Sequence, residues 1–188
     1  RPLCKRLELV HRLDRDTSGV ILVAKKRTTL VALHKMLQNK SGMKKRYLAL
    51  VYGNWPKHLK DVTVPLIKNE LKSGERVVKA SQEGKPCHTR YSLERRFEEH
   101  TLINAEPVTG RTHQIRVHCQ FSGYSIVGDD KYASDEQLKS SKKQGAKRMF
   151  LHAQSLRFKH PQTEENMFIE APLDEAYREF LNGLVAIN

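Results

Sequence analysis

The segments His88–Phe97 and Thr101–Val108 are separated only by the polar run Glu98-Glu99-His100. So short a connection turns the chain back on itself, and the pair reads as an antiparallel hairpin. Met149–Phe158 and Glu165–Ala171 form a second such pair around a His160-Pro161 turn. Asp61–Ile67 and Arg76–Ala80 read as short strands around a Lys/Ser/Gly loop. The apolar runs Val20–Lys25 and Tyr47–Tyr52 predict two further strands, the latter ended by Gly53-Asn54. Helical signals are fewer. Leu30, Leu33 and Leu37 recur at helical spacing from Thr28 to about Lys40, where Ser41-Gly42 stops them. A second helix is expected from about Thr112 to Phe121, closed by Ser122-Gly123. Asp174 can cap a third, whose Ala176, Tyr177, Phe180, Leu181, Leu184 and Val185 make one apolar face. Ser134–Lys147 is polar and rich in Lys, Ser and Gln, so a mobile loop with at most one helical turn is expected there. Hairpins outnumber helices and β-α-β alternation is not regular. The predicted class is therefore α+β, a mainly antiparallel mixed β-sheet with flanking helices. The 188 residues fit a single domain spanning 1–188.

Lys and Arg number 34 against 21 Asp and Glu, a net charge of +13. A domain this basic points to a polyanionic partner, nucleic acid first. An acidic membrane fits less well, because the charge is not gathered on one amphipathic helix. The plain alternative is a soluble basic protein with no such partner. No run of about 18 apolar residues is present to span a membrane, and no signal peptide opens the chain. Cys4, Cys87 and Cys119 are too few and too widely spaced for a disulfide framework or a zinc pattern. The cytoplasm and a monomer are expected. Cys119 reads as a small core residue rather than a nucleophile. The abrupt start at Arg1-Pro2, without an initiator Met, is that of a trimmed chain.

Three polar clusters carry the chemistry. His11–Gly19 packs two carboxylates, two guanidiniums, two hydroxyls and a Gly into nine residues. Asp14 and Asp16 are rival catalytic carboxylates, since two residues apart on an extended segment they share a face. A salt-bridged turn is the bland alternative. In Thr109–His118, a helix from Thr112 would put His113, Arg116 and Gln120 on one face and offer free N–H groups to phosphate. Its bland alternative is an amphipathic helix with a polar outer face. His113 and His118 lie about 140° apart on such a helix without a matching carboxylate, which disfavours a metal site. Lys44-Lys45-Arg46-Tyr47 sets three cations before a strand tyrosine that can stack on a base, or simply be half-buried.

Together these segments resemble one family. H-R-L-D-R-D-T-S-G-V-I-L-V-A-K (residues 11–25) looks like the central signature of the RluA-type pseudouridine synthases. K-K-R-Y-L-A-L-V-Y-G (44–53) is similar to the family's tyrosine motif, and T-G-R-T-H-Q-I-R-V-H (109–118) resembles its third motif. G-D-D-K-Y (128–132) and F-L-H-A-Q-S-L-R-F-K-H-P-Q-T (150–163) match later stretches, so the likeness runs in order from about residue 7 to 173. The stretch 66–86 carries a finer likeness to members acting on large-subunit (23S) ribosomal RNA. Three departures stand out: an N-K-P-x-G-type motif on an N-terminal strand is missing, an S4-like RNA-binding domain is missing, and Ala133 replaces the usual Gly.

The resemblance implies the pseudouridine synthase catalytic fold and the isomerisation of uridine in RNA. It assigns the catalytic role to Asp14, by attack on carbon or by taking a proton from C2′ of the ribose. It makes Arg116 the partner of that carboxylate and Tyr47 the base-stacking aromatic, with Ile115 packing nearby. Arg12 resembles the arginine that fills the space a flipped nucleotide vacates. The reaction needs no redox change and no activated water, so no cofactor or metal is implied. Two other classes remain open on the residues alone. One is a non-catalytic RNA-binding module, and the other a glycoside or nucleoside hydrolase, which would usually show a second catalytic carboxylate.

Overall fold

The computed structural model describes residues 7–39, 42–70 and 76–187. Its centre is a sheet built on strand β4 (Met43–Tyr52), flanked by β10 (Leu151–Lys159) and β9 (His100–Pro107). Beyond β9 lies β8 (Thr89–Phe97), and the outer edge of β8 is shared by β5 (Asp61–Val62) and β12 (Ala186–Ile187). The outer edge of β10 is shared in the same way, by β11 (Asn166–Glu170) and β2 (Ser18–Gly19). Every pairing is antiparallel except β2 with β10. The α+β, mainly antiparallel expectation holds.

β4 is central because its residues suit burial on both faces. Successive side chains of a strand point to opposite sides. Ala49 and Val51 pack with Ile103, Ile115 and Cys119, on the face covered by helix α2 (Gln114–Phe121). Leu48 and Leu50 pack with Leu102, Phe150, Tyr177 and Phe180, on the face covered by α4 (Glu175–Asn182). Tyr47 shares the α2 face, and alanines flank it in register, Ala153 on β10 and Ala105 on β9.

Two smaller units attach to this body. Helix α1 (Arg27–Gln38) packs Leu30 and Leu33 against Val10 and Ala24 beside the ribbon of β1 (Glu8–Leu9) and β3 (Val23–Ala24). The hairpin of β6 (Leu66–Glu70) and β7 (Arg76–Ala80) packs Leu66 and Val78 against Val117 and Tyr132.

The differences from the sequence expectations have identifiable causes. The Val20–Lys25 strand shrinks to Val23–Ala24, and Asp61–Ile67 splits into β5 and β6 around Pro65, which lacks an N–H to donate. Ser134–Lys147 is not a loop. It contains a helix, α3 (Asp135–Lys143), started by a reciprocal capping box between Ser134 and Gln137. Tyr52 anchors it, donating to the Gln137 carbonyl and the Ser141 hydroxyl. Asp174 caps α4 as expected, but of the proposed apolar face only Tyr177, Phe180 and Leu181 are buried, while Ala176 and Val185 are exposed. Lys40 and Ser41, at the expected end of the first helix and in its Ser41-Gly42 stop, residues 71–75 of the loop and of the finer family stretch, and Cys4 lie outside the described residues.

Candidate active site

The His11–Gly19 cluster is a turn fastened at several points. The Thr17 N–H donates to the Asp14 carbonyl, which makes Arg15 and Asp16 the turn's central residues. Gly19 has φ +114°, and a Cβ there would meet the Ala153 carbonyl oxygen at 2.1 Å, so only glycine fits. Beside it, Ser18 Oγ bonds His152 Nδ1 at 2.8 Å. His152 Nε2 lies 3.0 Å from the Ala171 carbonyl and must donate there, so Nδ1 accepts from the serine. At the entry, His11 Nε2 accepts from the Leu22 N–H at 3.2 Å.

The turn separates the two rival carboxylates. Asp16 and Arg15 point outward and pair with each other at 3.1 Å. Asp14 points inward: its Oδ2 lies 3.4 Å from Arg116 Nη1, and its Oδ1 lies 3.9 Å from His113 Nε2. The shared face expected of Asp14 and Asp16 is therefore absent, because the segment turns instead of extending.

Helix α2 begins later than its sequence signals indicate. It starts at Gln114, and His113 is the preceding residue in the left-handed conformation, φ 52° and ψ 20°. His113 therefore does not share a helical face with Arg116 and Gln120. The loop before it is held by Gln114, whose side-chain oxygen accepts from Thr109 and from the Arg111 N–H. The Gln114 amide nitrogen donates to the His88 carbonyl and the Thr89 hydroxyl, so the buried side chain is well satisfied. His118 sits elsewhere, buried between Thr89 Oγ and the Val64 carbonyl. Among the described residues no three His, Cys, Asp or Glu side chains form a metal-holding group.

The tight partner of Arg116 is Asp129, at 2.7 Å from both Nε and Nη2. Asp129 is 1% exposed and also accepts from the Lys131 and Tyr132 N–H groups. Burial opposes the charge on Arg116, but the bonds to Asp129 and the proximity of Asp14 outweigh it and raise its pKa. The Tyr132 ring lies under the guanidinium, 5.0 Å from centroid to Cζ. Sequence reasoning gave Arg116 to Asp14 alone and missed Asp129 and Tyr132. The signal was present in G-D-D-K-Y, where an acidic pair follows a helix that carries an inward arginine.

Asp14, Tyr47, Ile115 and Arg116 line one cleft of about 770 Å³, and the exposed Arg12 stands at its wall. Burial, with the charge of Asp14 adding to it, pushes the Tyr47 hydroxyl up to about 12, so it stays protonated at neutral pH. Lys44 and Lys45 line one part of the cleft and Arg90 and Arg111 another, a basic surround suited to phosphates.

A family model for RNA pseudouridylate synthase matches residues 2–121. The chain belongs to this family. The ribosomal large subunit pseudouridine synthase C of Yersinia pestis is 57% identical over 187 residues, 98% of this chain and 57% of that protein. The protein of the same name from Escherichia coli K12 is 56% identical over 187 residues, 98% of this chain and 58% of its own length. That of Haemophilus ducreyi is 54% identical over 186 residues, 99% of this chain and 58% of that protein. The chain thus spans a little over half the length of these relatives. In fold it matches the solved structure of human RNA pseudouridylate synthase domain containing 1, with TM-score 0.79, 24% identity, and coverage of 97% of this chain and 75% of that one.

Proposed function

We propose that this chain is the catalytic domain of an enzyme that isomerises uridines of large-subunit ribosomal RNA to pseudouridine. The observation that carries the reading is the placement of Asp14. It is an inward-facing carboxylate between Arg116 and His113, in the same cleft as the aromatic Tyr47. Three motifs spread over about a hundred residues supply these groups. The family membership and the large-subunit names of the relatives support the substrate class.

In this reading a uridine leaves its stack and its base lies against Tyr47, with Ile115 closing the apolar side. Asp14 acts at C1′ or at the neighbouring C2′–H of the ribose. The C1′–N1 bond breaks, the uracil turns, and a C1′–C5 bond forms. The proton displaced from C5 is balanced by one gained at N1, so no other reactant is consumed. Arg116 directs Asp14 through its Nη1 contact, and Arg12 fills the space the nucleotide leaves. Asp129 is locked on Arg116 and is not free to serve as the second carboxylate of a glycoside hydrolase. The domain works as a cytoplasmic monomer, and its net charge of +13 supplies phosphate affinity.

The test is Asp14→Asn, which removes the charge and keeps the size. Pseudouridine formation in an unmodified large-subunit rRNA transcript should disappear, while RNA affinity stays within a few-fold. Asp16→Asn should keep turnover, because Asp16 faces solvent. Near wild-type turnover in Asp14→Asn would remove the assignment. A wild-type chain that binds the transcript and leaves every uridine unchanged would make it a binding module.

A further inference from the structure

His113 lies beside Asp14, and the reaction scheme above does not explain its position. It holds a left-handed backbone conformation that a non-glycine residue adopts at a cost, and such strain persists only where the surroundings over-determine it. The surroundings here are specific. The Val78 N–H donates to the Tyr132 hydroxyl oxygen at 3.1 Å. The same hydroxyl lies 2.7 Å from His113 Nδ1. Burial raises the pKa of Tyr132, so the phenol keeps its proton. That proton goes to the imidazole nitrogen, and Nδ1 is the acceptor. A neutral ring must then carry its hydrogen on Nε2, the atom 3.9 Å from Asp14 Oδ1. Burial lowers the pKa of His113; Asp14 opposes this, and Arg116 and Lys131 add to it.

We propose that His113 is a positioning residue for Asp14. Fixed by Tyr132 as the Nε2–H tautomer, it presents a second donor to the carboxylate on the oxygen opposite the one Arg116 faces. One oxygen meets an N–H from helix α2 and the other an N–H from the residue before it, so the plane of the carboxylate is set from two sides. Both contacts are longer than an ideal hydrogen bond, 3.4 and 3.9 Å, as is common before substrate closes a site. The inference rests on the reading of Asp14 as the catalytic group.

Two substitutions separate this role from a merely conformational one. Asparagine tolerates the left-handed backbone better than histidine, but its amide nitrogen overlays the Nδ1 position, which faces Tyr132. Glutamine suits that backbone less well, but its amide nitrogen overlays Nε2, which faces Asp14. If His113 positions Asp14, His113→Gln keeps kcat within about five-fold of wild type on an unmodified large-subunit rRNA transcript. His113→Asn then loses about 10- to 100-fold in kcat, the size of one hydrogen bond to a charged group, with KM little changed. If the residue serves only the turn, the order reverses. A glutamine variant no faster than the asparagine variant overturns the proposal. Asp14→Asn, run alongside, reports on the underlying assignment by itself: turnover there sinks the site, whatever the order at position 113. A measurement on the unaltered protein stands apart from any folding defect of the variants. The ¹⁵N shifts of the His113 ring should show hydrogen on Nε2, and hydrogen on Nδ1 would also overturn the proposal.

Discussion

Arg116 is shared unequally by Asp129 and Asp14, with the exposed Asp130 more distant at 4.0 Å, and the inequality separates the parts the first two play. Asp129 holds it through two bonds of 2.7 Å with no exposure, whereas Asp14 touches it at 3.4 Å and keeps 20% of its side chain exposed. A buried guanidinium needs a partner, because the cost of removing its charge from water is otherwise unrelieved. Asp129 meets that need, which leaves Asp14 free to engage something else. Asp129→Asn should therefore destabilise the fold by about 3 kcal/mol, the usual penalty for breaking one side of a buried pair. Asp14→Asn should change stability by less than about 1 kcal/mol, since its contact is loose and partly exposed. Urea unfolding of the two variants checks the contrast. Equal losses would mean that Arg116 depends on both carboxylates alike, and that Asp14 is part of its structural pairing.

The turn that carries Asp14 is held in place because β10 grips it through two residues of β2. Gly19 packs its Cα against the Ala153 backbone, and Ser18 bonds His152. Gly19→Ala would force a Cβ to 2.1 Å from a carbonyl oxygen in a backbone region where alanine is strained. A loss of at least about 2 kcal/mol is expected, with turnover falling further than stability because the clash lifts the Asp14 turn. A thermal melt with a parallel activity assay measures both, and unchanged turnover in a folded Gly19→Ala would show the grip to be dispensable. This two-residue parallel pairing left no periodic trace in the sequence, whereas long elements did. The β8–β9 hairpin was legible from its short polar turn, and α1 from Leu30 and Leu33, which the structure buries. α3 was misread for the opposite reason: its only buried residue is Ser141, so hydrophobic periodicity could not reveal it. The pair Ser134 and Gln137 was the overlooked cue. The start of α2 was also hidden, because the bond to Tyr132 holds His113 out of the helix while Gln114 fastens the loop before it.

Across the whole molecule, the sequence singled out groups that the structure brings to one cleft, but not how the body of the protein supports them. Asp14, Tyr47 and Arg116 could be named because each lies in its own dense motif. Asp129, Tyr132 and the Gln114 bonds could not, because their meaning lies in long-range contacts. The same buried polar framework gives the fold a pH dependence whose direction follows from burial. Burial holds His11, His100, His113 and His118 below the ordinary imidazole pKa, and His11 falls to about 4, with Lys45 adding to the effect. In the unfolded chain the same rings titrate near 6.5. A group with a depressed folded pKa is fully stabilising above its unfolded value, and that contribution is lost as pH falls toward the folded value. Between pH 6.5 and about 4 the unfolded chain therefore binds more protons than the folded one, and acid favours unfolding. After allowance for solvent screening of a partly exposed ring, His11 alone should lower stability at pH 5 by about 1 kcal/mol relative to pH 7, and the other three rings act in the same direction. His11→Gln keeps an acceptor where Nε2 receives the Leu22 N–H but cannot take up a proton, so it should flatten part of that slope. Urea midpoints of both proteins at pH 7, 6 and 5 supply the test. A wild-type midpoint that does not move across this range would show that the four rings accept protons in the folded state as readily as in the unfolded one.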